Sequence, residues 1–175
     1  MSHFRNTAYV ELLKLVIQGI VGTGISYLIS CLKFALQTPC EQSGRVLLLL
    51  TPTVVAAFNI HASTIHYALR IPIGEMHPLE GQSLSKLQEE LHHIRYILID
   101  EMSFIGPKML TQIDARLRQA FPSHCTISFG GCSIILLGDF GQLPPVKDIP
   151  MYAGSSVGTA LWRTFDTFIT LKMIF

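Results

Sequence analysis

Short apolar runs alternate along this chain with segments whose apolar residues recur at helical spacing. Each run is continuously apolar, which is typical of a strand that is covered on both faces of a sheet. The apolar runs are 12–18, 46–50, 96–99 and 133–137. The helical segments are 26–37, 53–59, 63–69, 83–93 and 109–121. This alternation predicts an α/β fold with a parallel sheet and helices on both of its faces.

The helical segment 109–121 has its apolar residues Ile113, Leu117 and Ala120 on one side. This periodicity places Arg116 and Arg118 off the apolar side of the helix. The remaining segments follow less regular patterns. A polar turn is expected at 38–45, an exposed loop at 71–81, and a last helix or strand that begins in 162–171.

The composition adds little to this picture. The chain has 175 residues, about the length of one domain. Its net charge of +1 and its 14% of charged residues neither indicate nor exclude nucleic-acid binding. The four cysteines show no paired short spacing, so we do not expect a zinc site or a redox pair. Our interpretation is that they are reduced, buried thiols of an intracellular protein.

The stretch 15–32 carries no charge and is long enough to span a bilayer. A membrane segment is therefore one interpretation of it. However, polar residues interrupt the stretch, and Gly19, Gly22 and Gly24 fall at its middle. These interruptions favour a strand, a loop and a helix, so we expect no membrane segment.

Residues 19–26 fit the pattern of a phosphate-binding loop, G-x-x-x-x-G-K-[ST], at every signature position but one. In such a loop, glycines let backbone N–H groups surround the nucleotide phosphates, a lysine reaches the outer phosphates, and a hydroxyl group holds Mg²⁺. Gly19, Gly24 and Ser26 occupy their expected positions, whereas Ile25 takes the place of the lysine. The segment thus predicts the frame of an ATP site without its main cation.

Two further polar segments follow apolar runs. Asp100 and Glu101 come directly after 96–99, and Gln142 lies in the segment 138–146, which follows 133–137. Ligands gather at the carboxyl ends of parallel strands. We therefore expect Asp100 to hold a metal ion, Glu101 to act as general base on water, and Gln142 to sense the terminal phosphate or position water. The alternatives are two solvated acids and a proline-stiffened turn.

The run 98–103 (LIDEMS), followed by 138–145 (GDFGQLPP), resembles the petite-integration-frequency (PIF) family of superfamily-one DNA helicases. The segments 51–59, 63–69 and 113–119 are similar to further motifs of that family. All of them occur in the family's order, and the resemblance extends from about Gly19 to Trp162.

The resemblance implies a RecA-like P-loop NTPase domain over residues 1–175, the first of the two motor domains that a helicase needs. It implies an ATP- and Mg²⁺-dependent enzyme that moves 5′ to 3′ on single-stranded DNA. The biological roles that it implies are DNA repair, recombination and telomere maintenance. A nuclear location is the corresponding expectation, with the mitochondrion as the alternative.

Motif matching also implies a role for individual residues. Glu101 and Gln142 would be catalytic, Ser26 and Asp100 would hold the metal, and Thr51, Thr53 and His66 would face the DNA strand. Without the resemblance, His66 is better interpreted as a helix-capping or core histidine. The residues that would bind the nucleotide are Gly19, Gly22, Thr23, Gly24, Ile25 and Ser26.

The sequence departs from the family pattern in two respects. Ile25 offers neither charge nor a hydrogen bond to phosphate, so we expect little or no ATP turnover. Helicases of this family hydrolyse ATP between two motor domains, and we expect the second to come from the full-length protein. The alternative function is that of a non-catalytic ATP- or DNA-binding remnant of such a helicase.

Overall fold

The structure is a computed structural model that describes residues 12–37 and 44–172. In this part of the chain the strands form one parallel sheet of six strands, in the order β3-β2-β4-β5-β1-β6. The strands are β1 (Lys14–Gln18), β2 (Leu47–Thr51), β3 (Ser63–Thr64), β4 (Tyr96–Ile99), β5 (Ser133–Gly138) and β6 (Thr167–Thr170). The helices are α1 (Ile25–Gln37), α2 (Val54–Asn59), α3 (Ile65–Ala68), α4 (Gly81–Leu91), α5 (Pro107–Ala120) and α6 (Val157–Trp162). Short 3₁₀ helices lie at Met102–Phe104, Pro122–His124 and Ser128–Gly131.

Strand β5 lies between β1 and β4, and this order determines which loops meet. Gln18 at the end of β1 pairs with Gly138 at the end of β5. Ile99 at the end of β4 pairs with Leu136, also in β5. Because the strands are parallel, their carboxyl ends share one edge of the sheet. The segments that follow β1, β4 and β5 therefore leave the sheet side by side.

Alternate residues of the four inner strands β1, β2, β4 and β5 point into apolar clusters on opposite faces of the sheet. Leu47 and Leu49 of β2 pack in the cluster that contains Ile29 of α1. Leu48 and Leu50 pack on the other face, in the cluster that includes buried residues of α4, α5 and α6. Both faces are covered, which explains why the strands are continuously apolar. The predicted parallel sheet with helices on both faces is confirmed.

Arg116 of α5 is 1% exposed, so the expectation that it lies off the apolar side of the helix is wrong. Its Nη1 donates to Oε1 of Gln119 (2.6 Å). Its Nη2 donates to the carbonyl oxygens of Arg70 (3.2 Å) and His77 (3.3 Å), at the loop between α3 and α4. Carbonyl groups of a loop need hydrogen-bond donors when they are buried away from water. The guanidinium group provides them, which helical periodicity alone does not predict.

Asp114 links α5 to the 3₁₀ helix Ser128–Gly131. Its Oδ1 accepts a hydrogen bond from the backbone N–H of Phe129 (2.6 Å), and its Oδ2 accepts one from Nε of Arg118 (2.7 Å). Phe129 and Gly130 adopt left-handed backbone conformations, with φ of 56° and 61°. The Asp114 carboxylate therefore stabilises a turn that is strained at Phe129 and that places the Phe129 ring in the core.

Two segments differ from the predicted elements. Residues 63–69, expected as one helix, form the edge strand β3 and then the short helix α3. Helix α6 was not predicted, whereas the segment 162–171, expected to begin a last helix or strand, contains strand β6. The six residues of α6 give too few turns for a periodic pattern. The helix packs so close to α5 that a Cβ atom at Gly158 would overlap with the carbonyl group of Pro107.

The cysteines are less buried than the composition suggested. Cys31 and Cys125 are exposed, so the expectation of buried thiols is wrong for both. Cys132 is buried, and burial raises the pKa of its thiol to about 12. Cys40 lies outside the described residues.

The uncharged stretch 15–32 is divided between β1, a loop and the first part of α1. None of the helices that the structure describes combines the length and the hydrophobicity needed to cross a bilayer. The stretch is apolar because β1 lies inside the sheet and α1 covers one face of it.

We expect Arg116→Lys to lower the free energy of unfolding by about 1–3 kcal/mol, because one ammonium group cannot reach three separate acceptors. Urea denaturation of the full chain measures this change. The matched control is Arg163→Lys, at an exposed position, for which a change below about 0.5 kcal/mol is expected. Equal stability of the two variants would contradict the role assigned to Arg116.

Candidate functional site

The segments that follow β1, β4 and β5 enclose a cleft of about 390 Å³ at the carboxyl edge of the sheet. Its lining combines glycines, apolar side chains, two carboxylates and one amide. The lining residues are Gly19, Ile20, Val21, Gly22, Gly24, Ile25, Ser26, Asp100, Glu101, Gly138 and Gln142. Of the residues proposed for nucleotide, metal and water, Thr23 alone is not among them.

The glycine loop, residues 19–24, has a backbone that depends on its glycines. Gly22 (φ 88°) and Gly24 (φ 83°) adopt positive φ values that other residues disfavour. A Cβ atom at Gly19 would overlap with the hydroxyl group of Thr23. The N–H of Gly19 donates to the carbonyl of Gly138 (3.1 Å), which ties the loop to the end of β5. The loop leads directly into α1, whose first N–H groups lack partners within the helix.

Thr23 stabilises this loop from within. It is 6% exposed, and both its N–H (3.1 Å) and its hydroxyl group (2.7 Å) donate to the carbonyl of Ile20. A phosphate contact by the Thr23 side chain does not fit this geometry. The sequence motif could not show this, because it specifies the residue and not the direction of its hydroxyl group.

Ile25 begins α1 at the lysine position of the motif. Its half-buried side chain packs against the apolar cluster between α1 and the sheet, and it also lines the cleft. Among the described residues that line the cleft, none is a lysine, an arginine or a histidine. A phosphate group in this cleft would therefore meet backbone N–H groups and two carboxylates, with no basic side chain to balance its charge.

The acidic tip consists of Asp100 and Glu101. The N–H of Asp100 donates to the carbonyl of Leu50 (3.0 Å), which continues the pairing of β4 with β2. Glu101 has a left-handed backbone (φ 58°, ψ 44°) and precedes the 3₁₀ helix Met102–Phe104. Such a conformation costs about 1–3 kcal/mol in a residue other than glycine and is often found at functional sites.

Both carboxylates of the acidic tip are electrostatically disfavoured in the protein alone. Burial raises the pKa of Asp100, although a backbone hydrogen bond at Glu101 opposes the shift. Burial raises the pKa of Glu101 too, and the negative charge of Asp100 adds to the increase. A cation beside these two acids would stabilise the ionised form of both.

The third segment, residues 138–142, lies beside the other two. A Cβ atom at Gly138 (φ 138°) would lie 3.0 Å from the backbone nitrogen of Met102, so glycine permits β5 to end against the acidic tip. The carboxylate of Asp139 then accepts from the N–H of Gly141 (2.8 Å), and its carbonyl accepts from the N–H of Gln142 (3.1 Å). This turn brings the exposed Gln142 to the cleft. Sequence reasoning did not assign Asp139, although its place directly after an apolar run was a signal.

The threonines expected to face DNA have other contacts. Thr51 is fully buried, and its hydroxyl group donates to the carbonyl of Thr53 (2.8 Å). Oγ1 of Thr53 accepts from the N–H of Ala56 (3.2 Å) and so caps the N-terminus of α2. A direct contact between the Thr51 side chain and DNA does not fit this conformation. Both residues instead shape the segment between β2 and α2.

His66 lies at a second cleft, of about 180 Å³. Lys108 from the first turn of α5 and Lys147 from the segment after Gln142 also line this cleft. The two lysines give it a basic character that the first cleft lacks. Sequence reasoning missed both lysines, because they are 39 positions apart (147 minus 108) and only the fold brings them together. The nearness of Lys147 to Gln142 in the chain was the one available signal.

The chain matches one protein family and several solved structures. A profile of the PIF1-like helicase family matches residues 7–174. The ATP-dependent DNA helicase Pif1 of Campylobacter jejuni is 27% identical over 139 residues, which cover 74% of this chain and 28% of that protein. The chain thus spans less than a third of the length of that relative.

Two helicase crystal structures share its fold. The structure of Pif1 helicase from Candida albicans has a TM-score of 0.70 at 25% identity, over 93% of this chain and 37% of that chain. Pif1 helicase from Bacteroides, in complex with ADP-AlF3 and single-stranded DNA, has a TM-score of 0.67 at 27% identity, over 93% of this chain and 39% of that chain. The predicted RecA-like fold is confirmed by these similarities. The family profile spans nearly the whole sequence, and this chain therefore belongs to the PIF1-like helicase family.

Proposed function

We propose that this chain is a motor domain of an ATP-dependent DNA helicase whose nucleotide site is impaired by Ile25. The observation that carries the proposal is the convergence of the glycine loop, Asp100, Glu101 and Gln142 on one cleft. The Bacteroides relative, solved with ADP-AlF3 and single-stranded DNA, supports this interpretation. The complete enzyme would use a second motor domain to move 5′ to 3′ along single-stranded DNA in genome maintenance, in the nucleus or, alternatively, in the mitochondrion.

The glycine loop fits the phosphate groups of ATP through its backbone. Gly22 and Gly24 open the loop, and the 13-residue helix α1 presents its N-terminus to the cleft. The residue at the lysine position does not fit, because Ile25 replaces a charge-assisted hydrogen bond that contributes about 1.5–3 kcal/mol. We infer that ATP binds through the backbone cradle, and more weakly than it would to a complete loop.

The oxygen atoms of Ser26 and Asp100 fit Mg²⁺, which prefers hard oxygen ligands. When bound, the ion would neutralise phosphate charge in a cleft whose own ionisable lining is acidic. Burial of Asp100 without a basic neighbour in the cleft is consistent with this role, since the carboxylate is left to a cation from solution. The ion would therefore replace part of the charge that Ile25 does not supply.

Glu101 and Gln142 are the proposed catalytic residues. Glu101 would accept a proton from the attacking water. Its pKa is raised, which is the direction that favours a general base, since such a base works best when its pKa is near the pH of the reaction. The fixed left-handed backbone at Glu101 gives its side chain a defined origin beside β5. Gln142 has a neutral amide group that can donate and accept hydrogen bonds. It would contact the terminal phosphate from the segment that follows β5.

The alternative is a non-catalytic domain that keeps weak contacts to ATP or DNA. Ile25 favours it specifically, because this side chain packs into the core while the cleft keeps its two acids without a basic partner. The two functions differ in turnover and not in fold, so kinetics can separate them.

Ile25→Lys should lower the Kd for a fluorescent, non-hydrolysable ATP analogue with Mg²⁺ by about 10- to 150-fold, since it restores the missing charge-assisted hydrogen bond. Fluorescence titration of the chain measures the Kd. Val21→Lys is the matched control, because it adds the same charge to the same loop at an 82% exposed position outside the signature. The control should gain no more than about fivefold. Equal gains in affinity for the two variants would indicate general electrostatic attraction between the added lysine and the nucleotide. If Ile25→Lys did not bind the analogue, the nucleotide site would be refuted.

In the full-length protein with its second motor domain, Ile25→Lys should raise ATP hydrolysis by about 10²- to 10³-fold, because an electrostatic catalyst returns. Adding Glu101→Gln should abolish that gain without weakening nucleotide binding. Steady-state ATPase assays give the rates. Substantial and equal rates with isoleucine and lysine at position 25 would refute the impairment.

Lys108→Ala should weaken single-stranded DNA binding and reduce the slope of log K against log salt concentration by about 0.7, the loss of one phosphate contact. Anisotropy titration of a labelled oligonucleotide over a salt series measures the slope. Lys33→Ala, in α1 on the opposite face of the sheet, is the charge-matched control. Equal slopes for Lys108→Ala and the unmodified chain would exclude the second cleft from the DNA path.

A further inference from the structure

Helix α5 begins without a cap of its own. Its N-cap residue is Gly106, which has no side chain, and its first helical residue is Pro107, which has no N–H. The N–H of Lys108 is therefore the first donor of the helix that needs an acceptor outside it. A polar side chain at the N-cap position usually provides that acceptor.

Asp148 provides the acceptor from 40 positions away in the chain. Its Oδ2 accepts from the N–H of Lys108 (3.0 Å), and its Oδ1 accepts from the N–H of Ile149 (2.8 Å). A Cβ atom at Gly106 would overlap with this carboxylate. Glycine at the N-cap position thus removes the local cap and also makes room for the distant one.

Asp148 ends the segment that carries Gln142. The turn at Asp139 fixes the start of this segment, and Pro144 and Pro145 restrict its middle. Gln142 lines the first cleft, which the segments after β1, β4 and β5 enclose and which is the nucleotide cleft of the proposed function. Asp148 lines the second cleft, which contains Lys108 and Lys147. The segment therefore reaches from one cleft to the other and has a carboxylate anchor at each end.

The Asp148 anchor joins two of the three loops that form the nucleotide cleft. Helix α5 starts six positions after Glu101, with only the 3₁₀ helix Met102–Phe104 and a short link between them. The hydrogen bond from Lys108 to Asp148 consequently holds the Gln142 segment against the segment that carries the acidic tip.

We propose that Asp148 is a positioning residue, which holds Gln142 in the nucleotide cleft by capping helix α5. The expected effect of Asp148 on nucleotide affinity rests on the proposed function of that cleft. Its effect on the position of Gln142 does not. If the carboxylate served the helix alone, a local cap could replace it without loss. If it positions Gln142, a local cap restores the helix and leaves the Gln142 segment anchored at its Asp139 end alone.

The test uses three variants of the full chain. Asp148→Ala removes both acceptor oxygens. Asp148→Gly does the same and also clears the space beside Gly106, so that the double variant Asp148→Gly/Gly106→Ser can cap α5 locally. The last two share glycine at position 148, so any difference between them comes from the local cap.

Amide hydrogen exchange measured by NMR gives separate readouts for the helix and the segment. In Asp148→Ala, we expect the amides of Lys108, Gly141 and Gln142 to exchange about fivefold faster, as fits the loss of a cap of about 1 kcal/mol. In the double variant, the Lys108 amide and the Tm should return to the unmodified values while Gly141 and Gln142 stay fast. The proposal would be overturned if the exchange rates of Gly141 and Gln142 did not change in Asp148→Ala. It would also be overturned if these rates returned to the unmodified values in the double variant.

The nucleotide consequence is measured in the Ile25→Lys background. Adding Asp148→Ala should raise the Kd for the fluorescent, non-hydrolysable ATP analogue about two- to tenfold, because it loosens the contact of Gln142 with the phosphate without removing the Gln142 side chain. Unchanged affinity would overturn the link between Asp148 and nucleotide. If Ile25→Lys binds no nucleotide at all, the proposed function fails, while amide exchange still decides whether Asp148 positions the segment.

Discussion

The hydrogen bond from the N–H of Gly19 to the carbonyl of Gly138 joins the glycine loop to the end of β5. It can form only because β1 and β5 are parallel neighbours, with Gln18 opposite Gly138. On its other side β5 pairs with β4, which ends at the acidic tip. One strand order therefore assembles a glycine loop, two carboxylates and an amide from distant parts of the chain. Moving β5 out of its place between β1 and β4 would separate the groups, although each motif would remain intact.

Charge limits what the assembled cleft can do. Its two carboxylates are both harder to ionise than free acids, because burial raises the pKa of each and the negative charge of Asp100 raises the pKa of Glu101 further. A nucleotide adds further negative charge. In a complete phosphate-binding loop a lysine would offset part of it, whereas under the proposed function a divalent cation and the backbone N–H groups would have to do so. The lysines Lys108 and Lys147 line the other cleft, so the basic side chains and the acidic tip lie in separate clefts.

Much of the fold and the nucleotide cleft could be predicted from the sequence, because both depend on local patterns. Continuous apolar runs identify strands covered on both faces, and the motif spacing identified Ser26, Asp100 and Gln142 at the cleft. The parts that could not be predicted depend on tertiary contacts. Arg116 is buried since it serves loop carbonyls, and Thr51 is buried since it bonds to Thr53. No periodicity distinguishes such residues from solvated ones.

Ile25 shows that the fold and the chemistry of this site depend on different atoms. The lysine of a complete loop points its charge at a ligand, so the fold does not need it. Isoleucine at the start of α1 instead adds apolar contact to the cluster beneath the helix, and each buried methylene group contributes about 0.8 kcal/mol. Isoleucine at this position therefore contributes apolar contact to the fold while it offers no interaction to a phosphate group. A family member can lose turnover in this way and still keep every loop in place, since the positions of Asp100 and Gln142 are determined by β4, β5 and the Asp148 anchor and not by the ligand.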